Sequence, residues 1–105
     1  MKYTPIFTEF SQLDYDNLDG SQKKQILKSL TKIEENGMNA GQPLHGNLWD
    51  CRKLKHKKLG LRVIFKQSDI GIGIEIIEIV VVGKREDNEV YEIAVERLGR
   101  TGKFQ

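Results

Sequence analysis

The spacing of apolar residues changes twice along this chain, and this change limits the possible folds more than any other feature. A stripe of four apolar residues with helical spacing predicts an amphipathic helix over residues 22–36: Ile26, Leu27, Leu30 and Ile33. Three runs rich in β-forming residues follow between residues 48 and 82, and residues 88–98 return to helical spacing. Helices on both sides of a block of strands predict an α+β fold.

The strands are expected at residues 3–7, 48–55, 61–66 and 74–82, with connections at residues 57–60 and 68–73. Pro5 favours a sheet edge for the first strand, because proline has no backbone N–H to donate. The run over residues 76–82 is apolar on both faces for most of its length, which predicts the central strand. We expect a small antiparallel sheet with the helices packed on one face.

Turn and capping residues set the expected ends of the helices. A short helix is predicted over residues 8–18, and Asp19 or Ser21 is expected to cap the helix that follows. Asn36 and Gly37 end that second helix. The last helix is predicted over residues 88–98, with Asp87 as its N-cap and Gly99 beyond its end. Residues 100–105 are expected to be a frayed tail.

Length and composition predict one domain over residues 1–105, because a chain of this size has no room for two. The single cysteine, Cys51, cannot form an intramolecular disulfide and has no second thiol for a zinc knuckle. The first residues do not resemble a signal peptide, and Glu78 interrupts the longest apolar stretch. These features predict a cytoplasmic protein that makes no membrane contact.

The net charge of +2 conceals an uneven distribution. Seven cations and no acid lie between residues 52 and 66: Arg52, Lys53, Lys55, Lys57, Lys58, Arg62 and Lys66. The remaining 90 residues hold ten Lys and Arg against all 15 Asp and Glu. Clustered like charges repel one another and cost stability. A solvated lysine-rich hairpin is one interpretation, but a block without acids favours a polyanionic partner.

Strand alternation places Lys53 and Lys55 on one face, and Arg62 lies on the next strand across a short hairpin. Arg85 follows the last strand, and Tyr91 lies in the first turns of the last helix. Such a face suits RNA cleavage without a metal, in which a 2′-hydroxyl attacks the neighbouring phosphate and fixed cations stabilise the added negative charge. The sequence contains no HExxH, EF-hand, P-loop or nucleophile-elbow motif. We therefore expect no metal and no cofactor.

Several short motifs occur in the same order as in a known protein family and at nearly the same spacing. The similarity runs from about Leu13 to Leu98. The motifs are PLHG at 43–46, CRKLK at 51–55, GLRVIF at 60–65, GKRE at 83–86 and EVY at 89–91. Together they resemble the RelE branch of the RelE/ParE toxins. The resemblance implies a ribosome-dependent endonuclease that cuts messenger RNA. It also implies a cognate antitoxin, through which the toxin contacts operator DNA.

The resemblance implies a role for each matching residue. Lys53 and Lys55 match the lysine pair of the family's active strand, and Arg62 matches the arginine that binds the scissile phosphate. Arg85 matches an arginine that stabilises charge or donates a proton. Tyr91 matches a tyrosine that stacks on a base or acts as general base. The alternative interpretation is that it only packs beneath the last helix, with its hydroxyl at the surface.

A second group of residues is predicted to contact RNA outside the catalytic set: His45, Arg52, His56, Lys57 and Lys58. His45 stands where the family often has arginine, which makes this contact titratable. His56 has the opposite strand parity to Lys55, which favours a surface position. Trp49 is open to three interpretations: it stacks on a base, it packs in the core, or it faces the antitoxin.

Two other functions fit the same resemblance. The gyrase-poisoning branch shares the fold, but it generally lacks the full set of basic residues that this chain retains. A non-catalytic homologue that acts only with its antitoxin on operator DNA is the other alternative. Cleavage of translated messages would separate the endonuclease from both.

Overall fold

A computed structural model of the chain describes residues 3–68, 75–84 and 86–100. Its strands are β1 (Tyr3–Phe7), β2 (Gln42–Pro43), β3 (Cys51–His56), β4 (Leu61–Gln67) and β5 (Glu75–Gly83). Its helices are α1 (Glu9–Asp16), α2 (Gly20–Asn36) and α3 (Asp87–Arg97), with short 3-10 turns at Gly37–Ala40 and Gly46–Leu48. The predicted α+β class is confirmed.

The strands form one sheet in the order β1-β5-β4-β3-β2. Strands β3, β4 and β5 pair in antiparallel fashion, as predicted, and β2, which was not predicted as a strand, pairs antiparallel with β3. β1 runs parallel to β5 and makes the sheet mixed. β1 lies at an edge, as Pro5 indicated. β5 is an interior strand, yet β4 holds the middle position, so the prediction of β5 as the central strand is wrong. The short strand β2 lies beyond β3 and adds a fifth position to the sheet, which makes β4 the middle strand.

Both faces of the sheet are covered. On one face Val63 and Phe65 pack with Ile26 and Ile33 of α2. On the other face Ile64, Val80 and Val81 pack with two residues of α3, Val90 and Ala94. The expectation that all helices share one face is therefore wrong for α3. The reason is that β5 is apolar on both faces and Ile64 of β4 adds apolar surface on the α3 side, so each face needs a cover.

The start and end of α2 follow local capping. Asp19 is the N-cap, and its carboxylate accepts a 2.8 Å hydrogen bond from the backbone N–H of Gln22. The helix ends at Asn36, and Gly37 follows with φ of 59°. A Cβ at Gly37 would lie 2.6 Å from the ring of Tyr3, so both the backbone and the space require glycine.

The start of α3 differs from the prediction. Glu86 holds the N-cap position without a side-chain hydrogen bond, and Asp87 is the first helical residue. The carboxylate of Asp87 binds Lys53 and Arg62 instead of the helix backbone. The prediction of Asp87 as N-cap is wrong because these distant cations compete for its oxygens.

The far end of α3 is held on the sheet. Gly99 has φ of 71° and follows the helix, as predicted. Arg100, expected as the first residue of a frayed tail, is anchored instead: its guanidinium binds Asp50 at 2.5 and 2.7 Å and the carbonyl of Asn47 at 3.0 Å. Residues 101–105 of that tail lie outside the described residues, as does the predicted connection beyond Ser68.

Helix α1 completes the edge of β5 where β1 ends. β1 pairs with β5 only as far as Ile79, whose carbonyl accepts a 2.7 Å hydrogen bond from Ser11. Further along β5, the carboxylate of Asp14 accepts hydrogen bonds from the N–H of Val82 at 3.0 Å and from Arg97 of α3 at 2.6 and 2.9 Å. This bridge fixes α3 relative to the sheet.

The predicted strand from residue 48 begins at Cys51, because Leu48 belongs to a 3-10 turn and its N–H donates to the carbonyl of His45. Within the described ranges, no helix has the length and apolar character needed to cross a membrane.

Candidate functional site

Strands β3 and β4 place three predicted cations on the face that α3 covers. Lys55 pairs in register with Arg62, and Lys53 pairs with Ile64 two residues away. Side chains of directly opposed residues share one face of a sheet. Lys53, Lys55 and Arg62 therefore form one surface, which we call the cationic face. Their shared side was predicted from strand alternation, and the register confirms it.

Tyr91 of α3 reaches the cationic face. The ammonium of Lys53 donates a 2.9 Å hydrogen bond to the Tyr91 hydroxyl, and it lies 5.5 Å from the ring centre. The distance from the ammonium to the ring centre nearly equals the hydrogen-bond length plus the distance from the ring centre to the hydroxyl oxygen. The ammonium thus lies beyond the hydroxyl and not over the ring, so the contact is a hydrogen bond and not a cation–π interaction.

An acid also belongs to this face. Arg62 donates from Nε to one oxygen of Asp87, and Lys53 Nζ lies 3.3 Å from the other oxygen. Arg62 also donates to the carbonyl of Gly60 at 2.8 Å. Side-chain exposure is 14% for Lys53 and 9% for Arg62 against 37% for Asp87. Two well-buried cations therefore hold a carboxylate that solvent still reaches.

Sequence reasoning missed the role of Asp87 and assigned it to capping. One signal was present, since Asp87 and Tyr91 are four residues apart and share a helix face. A helix that brings Tyr91 to Lys53 must bring Asp87 to the same region.

The contacts shift the pKa values in a consistent way. The hydrogen bond to Tyr91, and after it the one to Asp87, raises the pKa of Lys53 above its ordinary value. The hydrogen bond from Arg62, and after it the one from Lys53, lowers the pKa of Asp87. At neutral pH Lys53 is a cation and Asp87 an anion. Lys53 is therefore suited to stabilise charge and not to accept a proton.

Lys55 is more exposed than the other two cations. β2 pairs with β3 only at Lys53 and Arg52, so β3 is unpaired on that side at Lys55. The side chain of Lys55 also borders a groove of about 190 Å³ beside α2, which Lys28 and Lys32 line as well. Positive charge thus continues from the cationic face around the edge of the sheet.

Arg85, the remaining predicted catalytic residue, lies outside the described residues. The neighbouring Gly83 pairs with Arg62, so the chain leaves β5 next to the cationic face.

Two of the predicted RNA contacts point away from the cationic face. Arg52 lies on the α2 side of β3, and its guanidinium donates a 3.2 Å hydrogen bond to the carbonyl of Gly41. His56 shares that side, and its buried Nδ1 has no hydrogen-bond partner among the described residues. Strand alternation explains both positions, because each residue directly follows or precedes a residue of the other face.

The other three predicted RNA contacts are on the surface. Lys57 and Lys58 are exposed in the turn between β3 and β4, and His45 is exposed before the second 3-10 turn. Trp49 is 74% exposed, so its interpretation as a core residue is wrong. Contact between these residues and RNA stays a prediction.

Cys51 has no exposed thiol. Its side chain is buried, and burial raises its pKa to about 12. Across residues 3–68, 75–84 and 86–100, no three His, Cys, Asp or Glu side chains are grouped so that they would hold a metal ion.

Comparison with known proteins gives a consistent set of relatives. The chain is 34% identical to a RelE-like toxin protein of Escherichia coli and 30% identical to the mRNA interferase toxin RelE of Escherichia coli, each over 98 residues that cover 93% of this chain and 99% of the relative. No model of a protein family matches the chain.

Solved structures agree with these relatives. A doubly substituted Escherichia coli toxin RelE in the free state has a TM-score of 0.74 at 29% identity, covering 93% of this chain and 99% of that one. The same toxin in complex with a peptide of the antitoxin RelB has a TM-score of 0.67 at 28% identity, covering 90% and 96%. These structures share the α+β fold described above.

Proposed function

This chain belongs to the RelE family of toxins, and we propose from that premise that it cuts messenger RNA as the toxin of a type II toxin–antitoxin system. It is an endoribonuclease of the mRNA interferase kind, like the mRNA interferase RelE of Escherichia coli and of Shigella flexneri. The observation that carries the proposal is the pair of well-buried cations, Lys53 and Arg62, held beside Tyr91 on one face of the sheet.

The reaction is attack by a 2′-hydroxyl on the adjacent phosphorus. The new bond joins the 2′-oxygen to phosphorus, and the bond from phosphorus to the 5′-oxygen breaks. A base takes the 2′ proton, and an acid gives one to the departing 5′-oxygen. The products are a 2′,3′-cyclic phosphate and a 5′-hydroxyl. Between them lies a five-coordinate phosphorus with more negative charge than the starting diester.

Lys53 and Arg62 fit the charge of that transition state. Because β3 and β4 hold them in place, they need little rearrangement when the charge develops. Arg62 offers a planar fork of N–H donors, and Lys53 offers a compact charge. The exposed Lys55 adds a third cation to the same face. Arg85 is part of this proposal by its match to the family's arginine.

Tyr91 is proposed to stack on a base of the RNA. Its hydroxyl already accepts a hydrogen bond from Lys53, whereas the Lys53 ammonium does not cover its ring. Aromatic side chains bind unpaired bases by stacking on their flat faces. His45, Lys57 and Lys58 would extend the contact as exposed polar side chains beside the cationic face.

The proposed substrate is a message on the ribosome, and the proposed protein partner is a cognate antitoxin. Ile6 and Phe10 are about half exposed and line two adjoining grooves that share Thr8 and Glu78, an apolar surface that favours a covering partner segment. The related RelE was solved with an antitoxin peptide bound. Operator DNA would be contacted through the antitoxin.

The test is cleavage of translated messages in a reconstituted extract, with the RNA ends mapped. Wild-type protein should release 5′-hydroxyl and cyclic phosphate ends. Lys53→Ala and Arg62→Ala should each slow cleavage by about 100-fold, since each removes one charge stabiliser. Lys24→Ala, which removes an exposed lysine from α2, should cut at the wild-type rate. Intact messages, or equal cutting by all variants, would refute the proposal, provided that thermal unfolding shows each variant folded.

A further inference from the structure

Asp87 is the feature that the proposed reaction does not use. It is the one acid bound to both Lys53 and Arg62 among the described ion pairs. A phosphate that enters the site needs the same two donors. A carboxylate and a phosphate both present negatively charged oxygens to N–H groups, so they suit the same cations.

We propose that Asp87 is a built-in competitor of the RNA phosphate, which occupies Lys53 and Arg62 in the free protein and weakens the binding of RNA. This inference rests on the proposed function. It goes beyond it by giving Asp87 control over how tightly the site holds its substrate.

The directions of the donors support competition. Nε of Arg62 is directed at Asp87, and another of its nitrogens is directed at the Gly60 carbonyl. The ammonium of Lys53 divides its protons between Asp87 and Tyr91. Neither cation presents its full set of donors until Asp87 is displaced.

The burial of the three residues indicates which one moves. Lys53 and Arg62 are mostly buried on the strands, whereas the Asp87 side chain is 37% exposed on the first residue of α3. Its carboxylate makes no capping bond to the helix, because Glu86 is the N-cap. A partly exposed ion pair is weak in water and exchanges readily for a stronger anion.

Competition acts when the RNA phosphate binds. The phosphate takes the place of Asp87 on Lys53 and Arg62 at that step, so the free-energy cost of displacing Asp87 is common to the bound substrate and to the transition state. Loss of the Asp87 charge should lower the Kd for RNA while changing the cleavage rate of bound RNA much less.

The test compares two variants that each remove one negative charge from the first turn of α3. Asp87→Asn removes the competitor, and Glu89→Gln is the matched control at an exposed position. The probe is a fluorescent 2′-O-methyl oligonucleotide of mixed sequence, which lacks the attacking hydroxyl and stays intact. Anisotropy gives Kd at several salt concentrations.

We expect Asp87→Asn to bind about fivefold more tightly than wild-type, with a steeper loss of affinity as salt rises, because two cations are released for phosphate. Glu89→Gln should change Kd by less than about twofold, since its charge is not bound to Lys53 and Arg62. Asp87→Glu, which keeps the charge, should bind no more tightly than wild-type. Thermal unfolding of each variant shows whether it is folded, and Asp87→Ser replaces Asp87→Asn if the latter is not.

Equal or weaker binding by the neutral variants would overturn the inference, and so would the same gain from Glu89→Gln. Cleavage of translated messages by wild-type protein separates this failure from that of the proposed function. If wild-type cuts messages but Asp87→Asn binds no tighter, only the competitor role is wrong. If wild-type leaves messages intact, the nuclease proposal itself is wrong.

Discussion

Replacement of Tyr91 by phenylalanine separates the two roles that the sequence left open for this residue. The change keeps the ring and removes the hydroxyl, together with the 2.9 Å hydrogen bond from Lys53. Lys53 keeps its second partner, Asp87, at 3.3 Å. The direct structural loss is thus one hydrogen bond on a cation that remains held.

The expected magnitude follows from that contact. One hydrogen bond contributes about 1 kcal/mol, which corresponds to a loss of about fivefold in cleavage rate. Stacking on one base contributes roughly 1–3 kcal/mol, so Tyr91→Ala should lose about fivefold to 150-fold from stacking alone, in addition to the hydrogen bond. A general base contributes roughly 10²- to 10⁴-fold. Stacking therefore predicts that Tyr91→Phe is nearly active and Tyr91→Ala is not.

The assay is single-turnover cleavage of a ribosome-bound message, with the rate measured at saturating toxin. Thermal unfolding of both variants controls for the packing of Tyr91 against the sheet. A loss of a hundredfold or more in Tyr91→Phe, similar to that in Tyr91→Ala, would refute the stacking argument and give the hydroxyl the catalytic role.

Two further predictions concern the ion pairs that hold α3 in place. Asp14→Ala should lower the free energy of unfolding by about 3 kcal/mol in urea titrations, since it leaves the Val82 N–H unpaired and removes the ion pair of the mostly buried Arg97, which then donates only to the Val80 carbonyl; a loss below 1 kcal/mol would contradict this. Hydrogen bonds from Arg100 hold the pKa of Asp50 below its ordinary value. The pair therefore stabilises the fold fully above about pH 4, and this stabilisation is lost as the pH falls through the lowered pKa of Asp50 in the folded protein. Arg100→Gln should cost about 1 kcal/mol at pH 7, and the difference from wild-type should shrink as pH is lowered from 5 to 3; a difference that stays constant would be the contrary result.

Local pattern accounts for most of the fold and for the centre of the site. The limits of β1, the end of α2 at Gly37 and the shared side of Lys53 and Arg62 all agree with the sequence-based expectations. Each depends on backbone geometry within a few residues, or on a hairpin whose short turn sets its register. Such features are predictable because side-chain direction alternates in a strand whatever surrounds it.

The expectations that failed involve contacts between distant segments. Asp87 has the residue type and the position that are typical of an N-cap, but its carboxylate forms ion pairs with Lys53 and Arg62 instead. Arg100 looks like the start of a loose tail, but Asp50 anchors it. In each case a charge 25 or more residues away decides the outcome. Local propensity carries no information about that partner.

The sequence by itself determined that this chain forms helices around a cationic hairpin. The spacing of apolar residues and the local density of charge both depend only on residues that are close together in the sequence. Only the tertiary structure decided that α3 covers the opposite face from α2, and that it brings an acid and a tyrosine to the lysine and arginine of that hairpin. The physical reason is that β5 is apolar on both faces and Ile64 of β4 adds apolar surface on the α3 side. Which helix covers which face depends on how the whole chain buries that surface.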